Sequence, residues 1–170
     1  RPIKEVDGLL ELFSKSISNE SKKIHSNNIK LKFIGDTSIF TEPLQLKIKE
    51  IEKETSRNKR LVLNIALNYG GRLDIVNSVN KFYNNKKKIK KITEKNINNG
   101  LYTKGQSDVD LLIRTGGQQR MSNFLLWQSA YAELFFSKKL WPDFDEKVFV
   151  DALYFFQNTE RKFGAISKST

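Results

Sequence analysis

The residues with the clearest capacity for chemistry lie in one run, Ile113-Arg114-Thr115-Gly116-Gly117-Gln118-Gln119-Arg120-Met121-Ser122-Asn123-Phe124. Glycines let a backbone approach a bulky anion closely. Arg114 and Arg120 flank the Gly-Gly turn, and a guanidinium fork matches phosphate oxygens two at a time. Ser122 adds a hydroxyl donor. It also reads as the N-cap of a helix from Asn123 to about Tyr131, and a helix N-terminus offers open N–H groups and the positive end of a dipole. Together these features describe a diphosphate cradle. The plainer alternative is a structural turn between strand and helix with two surface arginines. Glu133 follows in Ala130-Tyr131-Ala132-Glu133-Leu134-Phe135-Phe136, a carboxylate in an apolar setting. Such a group needs a charged partner, a proton or a metal. It is either salt-bridged to a nearby Arg or Lys, or a ligand of a hard cation such as Mg2+, which takes one or two carboxylates plus substrate phosphates.

These residues need elements to hold them. Val6, Leu9, Leu10, Phe13, Ile17 and Ile24 recur at helical spacing, which predicts an amphipathic helix over 3–26. Residues 31–34 read as a strand ending at Gly35-Asp36, and Leu44, Ile48 and Ile51 mark a helix to about Thr55. Residues 61–67 form a nearly continuous apolar run, expected to be a strand buried on both faces. A helix begins near Arg72. The Lys/Asn-rich stretch 84–107 reads as a mobile connection with a short helix inside. Residues 109–114 and 134–136 read as strands. Asp145 should cap a last helix, which Gly164 closes, and 165–170 form a tail. Helix and strand alternate throughout, with no repeat. The expected fold is therefore α/β, a single domain over 1–164 with a largely parallel central sheet and helices on both faces. Ligands of such sheets bind at the carboxyl ends of the strands, where Gly70-Gly71 and Gly116-Gly117 lie.

Composition bounds the partners. The chain has 170 residues, 38% of them hydrophobic, with 30 basic and 19 acidic side chains and a net charge of +11. That is a globular composition, and the charge favours anionic ligands or surfaces. Cysteine is absent and His25 is the only histidine, which excludes disulfides, thiolate centres and a histidine-built zinc site within these residues. The basic residues do not form a stripe interleaved with aromatics, so a nucleic-acid partner is not expected. No apolar run approaches the roughly 20 residues of a membrane span. The chain opens at Arg1-Pro2 without an initiator Met, and its start reads as the middle of a longer protein.

Several long segments resemble one family, in the same order. They are Asp110 to Gly117, then Arg120, Ser122-Asn123-Phe124-Leu125-Leu126-Trp127-Gln128, Tyr131-Ala132-Glu133-Leu134 and Leu140-Trp141-Pro142-Asp143-Phe144. Earlier come Arg1-Pro2, Phe33-Ile34-Gly35-Asp36, Leu63-Asn64-Ile65-Ala66 and Asn68-Tyr69-Gly70-Gly71-Arg72 with Asp74-Ile75. At the end stands Glu160-Arg161-Lys162-Phe163-Gly164. The whole is similar to the undecaprenyl diphosphate synthases and other cis-prenyltransferases, from Arg1 to about Gly164.

The resemblance implies an enzyme that condenses isopentenyl diphosphate onto an allylic diphosphate, such as farnesyl diphosphate, to give a polyprenyl diphosphate. It places Arg114, Arg120, Met121 and Ser122 at the diphosphate of isopentenyl diphosphate, and Arg1 in the substrate site. It makes Glu133 a Mg2+ ligand, contributed across a homodimer or near its seam. Residues 68–72 would support the site edge, and strands 31–34 and 61–67, with the helix from residue 3, would wall an apolar tunnel for the growing chain. It also implies an intracellular protein, soluble or peripheral to a membrane surface through its product. Two departures stand out. Gln118 replaces an acidic residue common in the family, with Gln119 beside it. The family's opening glycine-rich motif, with its catalytic Asp, does not occur in these 170 residues, and neither do its first strand and helices. The expectation is therefore an N-terminally incomplete enzyme, inactive by itself, with no catalytic residue of its own. The alternative is a non-catalytic partner subunit of a prenyltransferase complex, against which the intact Arg114, Arg120, Ser122 and Glu133 set argues.

Overall fold

The side chains of Leu31 and Ile51, 1% and 0% exposed, meet where a strand passes under a helix, and the first half of the molecule is organised around that contact. A computed structural model describes residue 20 and residues 23–84 and 91–161. These fall into two compact units, divided between Tyr69 and Gly70.

In the first unit, strand β1 (Ile29–Ile34) leads into helix α1 (Glu42–Glu54) and then strand β2 (Leu61–Ala66). β1 and β2 pair in parallel, from Ile29 opposite Leu61 to Ile34 opposite Ala66. Parallel pairing needs a crossover, and α1 supplies it. Leu44, Ile48 and Ile51 recur at helical spacing and form its buried face. Phe33, Ile65 and Ile24 pack against Leu31 and Ile51, while Phe40, Leu44 and Ile48 close over Phe33 and Leu67. The outer edge of β1 is finished by side chains. The Leu31 N–H donates to Thr55 Oγ1 at 3.1 Å, and the Phe33 N–H donates to Glu52 Oε1 at 2.8 Å. An open strand edge is a template for pairing with other chains, and the C-terminal turn of α1 blunts this one.

Both strands were expected here, with one correction. β2 is not buried on both faces: Leu61, Val62 and Leu63 are 54%, 39% and 39% exposed. The reason is that α1 lies against β1 rather than β2, so the apolar run has one strand neighbour but little cover among the described residues. Of the expected helix over 3–26, residue 20 and residues 23–26 are helical and the rest lies outside the described residues.

The second unit holds helices α2 (Gly71–Asn84) and α3 (Glu94–Gly100), strands β3 (Leu111–Arg114) and β4 (Glu133–Phe136), a 3-10 turn at Trp141–Asp143, and helix α4 (Glu146–Gln157). β3 and β4 are again parallel, with Leu111 opposite Glu133 and Arg114 opposite Phe136. The α/β class and parallel pairing thus hold in both units, each of which contains one two-stranded sheet among the described residues.

The short helix expected inside the Lys/Asn-rich stretch is α3. Thr93 and Asn96 form a reciprocal capping box at its start. Ser78 Oγ donates to Ile97 O at 2.7 Å and Lys81 Nζ to Gly100 O at 2.7 Å, which fix α3 on α2. At α4, Asp145 accepts from the Val148 N–H at 3.0 Å, and Phe135 of β4 meets the Phe155 ring at a 5.6 Å centroid distance. Gly164 does not close α4. The helix stops at Gln157, because Asn158 Nδ2 and Thr159 Oγ1 donate to the Tyr154 and Phe155 carbonyls and take over acceptors at its C-terminal end.

Packing at Gly100 and charge at Asp145 each generate a prediction. An alanine Cβ at Gly100 would lie 2.1 Å from Ser78 Oγ and 2.8 Å from Ser78 Cα. Gly100→Ala should therefore lower stability to urea by about 1–3 kcal/mol, and Ser78→Ala in that background should restore only part of the loss, because the clash with the Ser78 backbone remains. The Asp145 carboxyl is held below its ordinary range, first by the Lys139 ammonium and then by the Val148 amide. A carboxyl depressed by folding adds stability above its unfolded pKa, about 3.9, and that stability is lost as pH falls through the lower folded value. Asp145→Asn keeps a good cap but no charge. Its melting temperature should fall below that of the parent at neutral pH and converge with it as the medium becomes acidic.

Candidate diphosphate site

The turn after β3 is built by residues that accept a left-handed backbone. Gly116 and Gly117 have φ of 87° and 75°, and Ser122, Asn123 and Leu125 have φ of 47°, 63° and 44°. The glycines are required by this conformation rather than by crowding, since an added Cβ at Gly116 would meet nothing within 4 Å. Their amides are already used. The Gly116 N–H donates to Lys139 O at 2.8 Å and the Gly117 N–H to Ser137 O at 2.9 Å, while the Ser137 N–H donates to Arg114 O at 2.8 Å. These bonds extend the β3–β4 pairing past the strands. They also withdraw these two glycine amides from recognition of an anion.

The helix expected from Asn123 to Tyr131 does not form. Residues 122–127 and 128–131 are a succession of turns. Three left-handed residues interrupt any helical ladder, and Asn123 is engaged elsewhere: its carbonyl accepts from the Gly71 N–H at 2.7 Å and its Oδ1 from the Arg72 N–H at 2.9 Å. Asn123 therefore caps the start of α2, and no helix dipole points at the cradle from residue 122. Sequence reading missed this role. The signal available was an Asn in a turn, a residue type that tolerates positive φ and caps helices through Oδ1.

The side chains of Arg114 and Ser122 converge, while Arg120 meets Arg114 through its backbone carbonyl. Arg114 Nη1 donates to Ser122 Oγ at 2.8 Å and also to the Arg120 carbonyl. Arg120 Nη1 donates to Gln118 Oε1 at 2.6 Å. Arg114 is half-buried, whereas Arg120 and Ser122 are exposed. Met121 lies half-buried between them, and its carbonyl accepts from the Phe124 N–H at 3.0 Å. Gln118 thus holds Arg120 by a neutral hydrogen bond where an acidic residue would make an ion pair. Ser122 Oγ accepts from Arg114 and keeps its own proton to donate outward. The result is a partly exposed, two-guanidinium turn whose remaining donors suit a diphosphate.

Glu133 is not part of this cluster. It faces Leu111 in register, three residues from the Arg114–Phe136 pair, which puts it roughly 10 Å along the strands and on the opposite sheet face. Its side chain, 25% exposed, lies 3.9 Å from Arg161 Nε. Arg161 Nη1 is bound more closely to Asp110 Oδ1, at 2.6 Å, and Nη2 donates to Tyr131 O at 3.3 Å. The salt-bridged alternative for Glu133 is therefore the arrangement present. No group of three or more His, Cys, Asp or Glu suited to a metal occurs among the described residues. One partly exposed carboxylate with a loose counter-charge fits Mg2+ already carried by a diphosphate better than free Mg2+. Arg161 was missed as a partner because 51 residues of sequence separate it from Asp110. Arg1 lies outside the described residues. Of residues 68–72, Asn68 belongs to the first unit, where its Nδ2 donates to Asp36 O at 3.3 Å, and Gly71 and Arg72 meet Asn123.

A buried polar network ties α2 to the segment that leads into β3. Asp74 of α2 is 1% exposed. Its Oδ1 accepts from the Tyr102 N–H at 3.0 Å and its Oδ2 from Gln128 Nε2 at 3.2 Å. Gln128, 3% exposed, also donates to Thr103 Oγ1 at 2.9 Å, and its carbonyl accepts from the Val109 N–H at 2.8 Å.

Comparison with known proteins agrees with the motif order. The family model for undecaprenyl diphosphate synthases matches residues 1–164. A ditrans,polycis-undecaprenyl-diphosphate synthase of Haemophilus ducreyi, specific for (2E,6E)-farnesyl diphosphate, is 48% identical over 168 residues, covering 96% of this chain and 69% of the relative. The crystal structure of a probable undecaprenyl diphosphate synthase from Campylobacter jejuni superposes with a TM-score of 0.86 at 35% identity, over 96% of this chain and 76% of that one. Lavandulyl diphosphate synthase from Lavandula x intermedia, in complex with dimethylallyl diphosphate, gives a TM-score of 0.90 at 34% identity, over 96% and 73%. The chain belongs to the undecaprenyl diphosphate synthase family of prenyltransferases.

The buried carboxylate generates a test. Asp74→Ala leaves the Tyr102 amide and the Gln128 side-chain amide without their acceptor, each a loss of about 1–3 kcal/mol when buried. Urea unfolding should show a loss of that order, and Asp74→Asn, which keeps one acceptor, a smaller one.

Proposed function

We propose that this chain carries the isopentenyl diphosphate side of a cis-prenyl chain-elongating enzyme. The observation that supports this most directly is the Arg114–Ser122 hydrogen bond, which pre-sets a guanidinium and a hydroxyl on one side of a turn that also carries Arg120. In this reading Arg114 and Arg120 grip the diphosphate, Ser122 donates to one of its oxygens, and Met121 lines the entrance. The isopentenyl double bond attacks the allylic carbon as diphosphate leaves. Loss of a proton then gives the cis double bond. The relatives' use of farnesyl diphosphate makes it the proposed allylic partner.

Glu133 is the residue that would hold Mg2+, in company with substrate phosphates. The ion would supply neutralising charge to the departing diphosphate. Because Glu133 stands at the other end of β4 from the cradle, we assign its metal role to the seam of a homodimer. Phe149, Leu153 and Tyr154 of α4 and Trp141 leave apolar surface for a second copy to cover, at 45%, 44%, 61% and 75% exposure. No described helix is long and apolar enough to cross a membrane, and contact with a membrane surface would come through the polyprenyl product.

The opening Asp motif does not occur in these 170 residues, so the proposal separates binding from turnover. Calorimetry should detect isopentenyl diphosphate binding to the purified chain, without elongation of farnesyl diphosphate. Arg114→Ala and Ser122→Ala should weaken that binding about tenfold or more for the arginine and less for the serine, as expected for charge-assisted against neutral hydrogen bonds. Unchanged affinity in Arg114→Ala would defeat the cradle assignment.

A further inference from the structure

We propose that Arg161 is the resident counter-cation of Glu133, standing beside that carboxylate until a metal–diphosphate displaces it, while remaining anchored on Asp110. The inference rests on the reading of Glu133 as a metal ligand and adds a device that regulates it.

The contacts of the guanidinium are unequal. Asp110 Oδ1 holds Nη1 at 2.6 Å, the Tyr131 carbonyl holds Nη2 at 3.3 Å, and the Phe156 ring lies 5.3 Å from the guanidinium carbon. Those three contacts do not involve Glu133 and keep the guanidinium in place without it. The fourth, Nε to Glu133 at 3.9 Å, is too long for a hydrogen bond and acts only through charge. The Arg161 side chain is 19% exposed and that of Glu133 25%. A guanidinium that meets the carboxylate through charge alone, with no hydrogen bond to break, releases the oxygen readily. The Glu133 backbone reinforces the link, since its N–H donates to Asp110 O at 2.9 Å. The pair of carboxylates and one arginine then favours a cation delivered with diphosphate over a free cation, which must compete with Arg161 unaided.

The test uses the whole 170-residue chain and Mn2+ as the probe, followed by electron paramagnetic resonance with and without inorganic pyrophosphate, each variant checked for fold by circular dichroism. Arg161→Met should bind Mn2+ alone roughly two- to fivefold more tightly, the size expected for removal of a partly exposed ion pair. Arg161→Lys should stay near the parent. Asp110→Asn should weaken Mn2+ binding by freeing Arg161 for Glu133, and this weakening should shrink in the Arg161→Met background. A folded Arg161→Met chain with unchanged or weaker binding overturns the proposal. So does an Asp110→Asn effect of the same size with and without Arg161, and the Asp110→Asn arm alone decides if Arg161→Met does not fold: unchanged or tighter binding overturns it. Glu133→Gln separates the two readings. If it leaves Mn2+ binding with pyrophosphate intact, the metal role of Glu133 fails; if it abolishes binding while Arg161→Met changes nothing, only the counter-cation role fails.

Discussion

A carboxylate removed from water has to be answered by donors, and in the second unit Asp74 sets that condition for everything around it. Its two oxygens take the Tyr102 amide and the Gln128 side chain, so α2, the segment after α3 and the turn before β4 converge on one point. Gln128 transmits the constraint, because its carbonyl receives the Val109 N–H just ahead of β3. The position of Arg114, at the far end of that four-residue strand, is therefore tied to a buried charge on another helix. Close packing adds a second tie at Gly100, where only a glycine admits Ser78.

The same accounting of hydrogen bonds decides what kind of anion site this is. In many phosphate sites the backbone amides of a glycine turn and a following helix face the ligand. Here the amides of Gly116 and Gly117 complete the extension of the β3–β4 pair, and Asn123 caps α2 instead of opening a helix of its own. The turn still carries the forks of Arg114 and Arg120 and the Ser122 hydroxyl. Side-chain guanidiniums are always charged and geometrically matched to phosphate, so the glycine amides are not needed for an anion to be held there. Gln118 fits this picture, since a neutral acceptor on Arg120 leaves the positive charge of the turn undiminished.

The separation of Glu133 from the cradle gives the two halves of the chemistry different supports. The guanidinium turn sits beyond the carboxyl end of β3, where parallel sheets present ligands. Glu133 opens β4 and answers to Asp110 and Arg161. A strand of four residues thus keeps the carboxylate of Glu133 apart from the guanidinium turn within one chain.

Much of this was readable in the residues. Alternation of apolar runs with helical spacing pointed to the α/β class and the parallel strands, because β1, β2 and β3 are short apolar segments bounded by turn residues and α1 carries Leu44, Ile48 and Ile51 on one face. The convergence of Arg114 and Ser122 was also legible, since both lie in one turn and local spacing alone brings them together. The family, too, follows from motif order. Other features were decided only in three dimensions. Ser122 looked like a helix cap, but its left-handed φ and that of Asn123 belong to a turn that reaches back to the start of α2, far away in sequence. The apolar β2 run promised burial on two faces, but exposure depends on where α1 comes to rest. Glu133 called for a charged partner on sequence grounds, and the fold brings it one from residue 161, far away in sequence. Sequence determines what is local, the periodicity and turn chemistry that each segment carries within itself; tertiary structure alone decides which distant donor satisfies which buried charge.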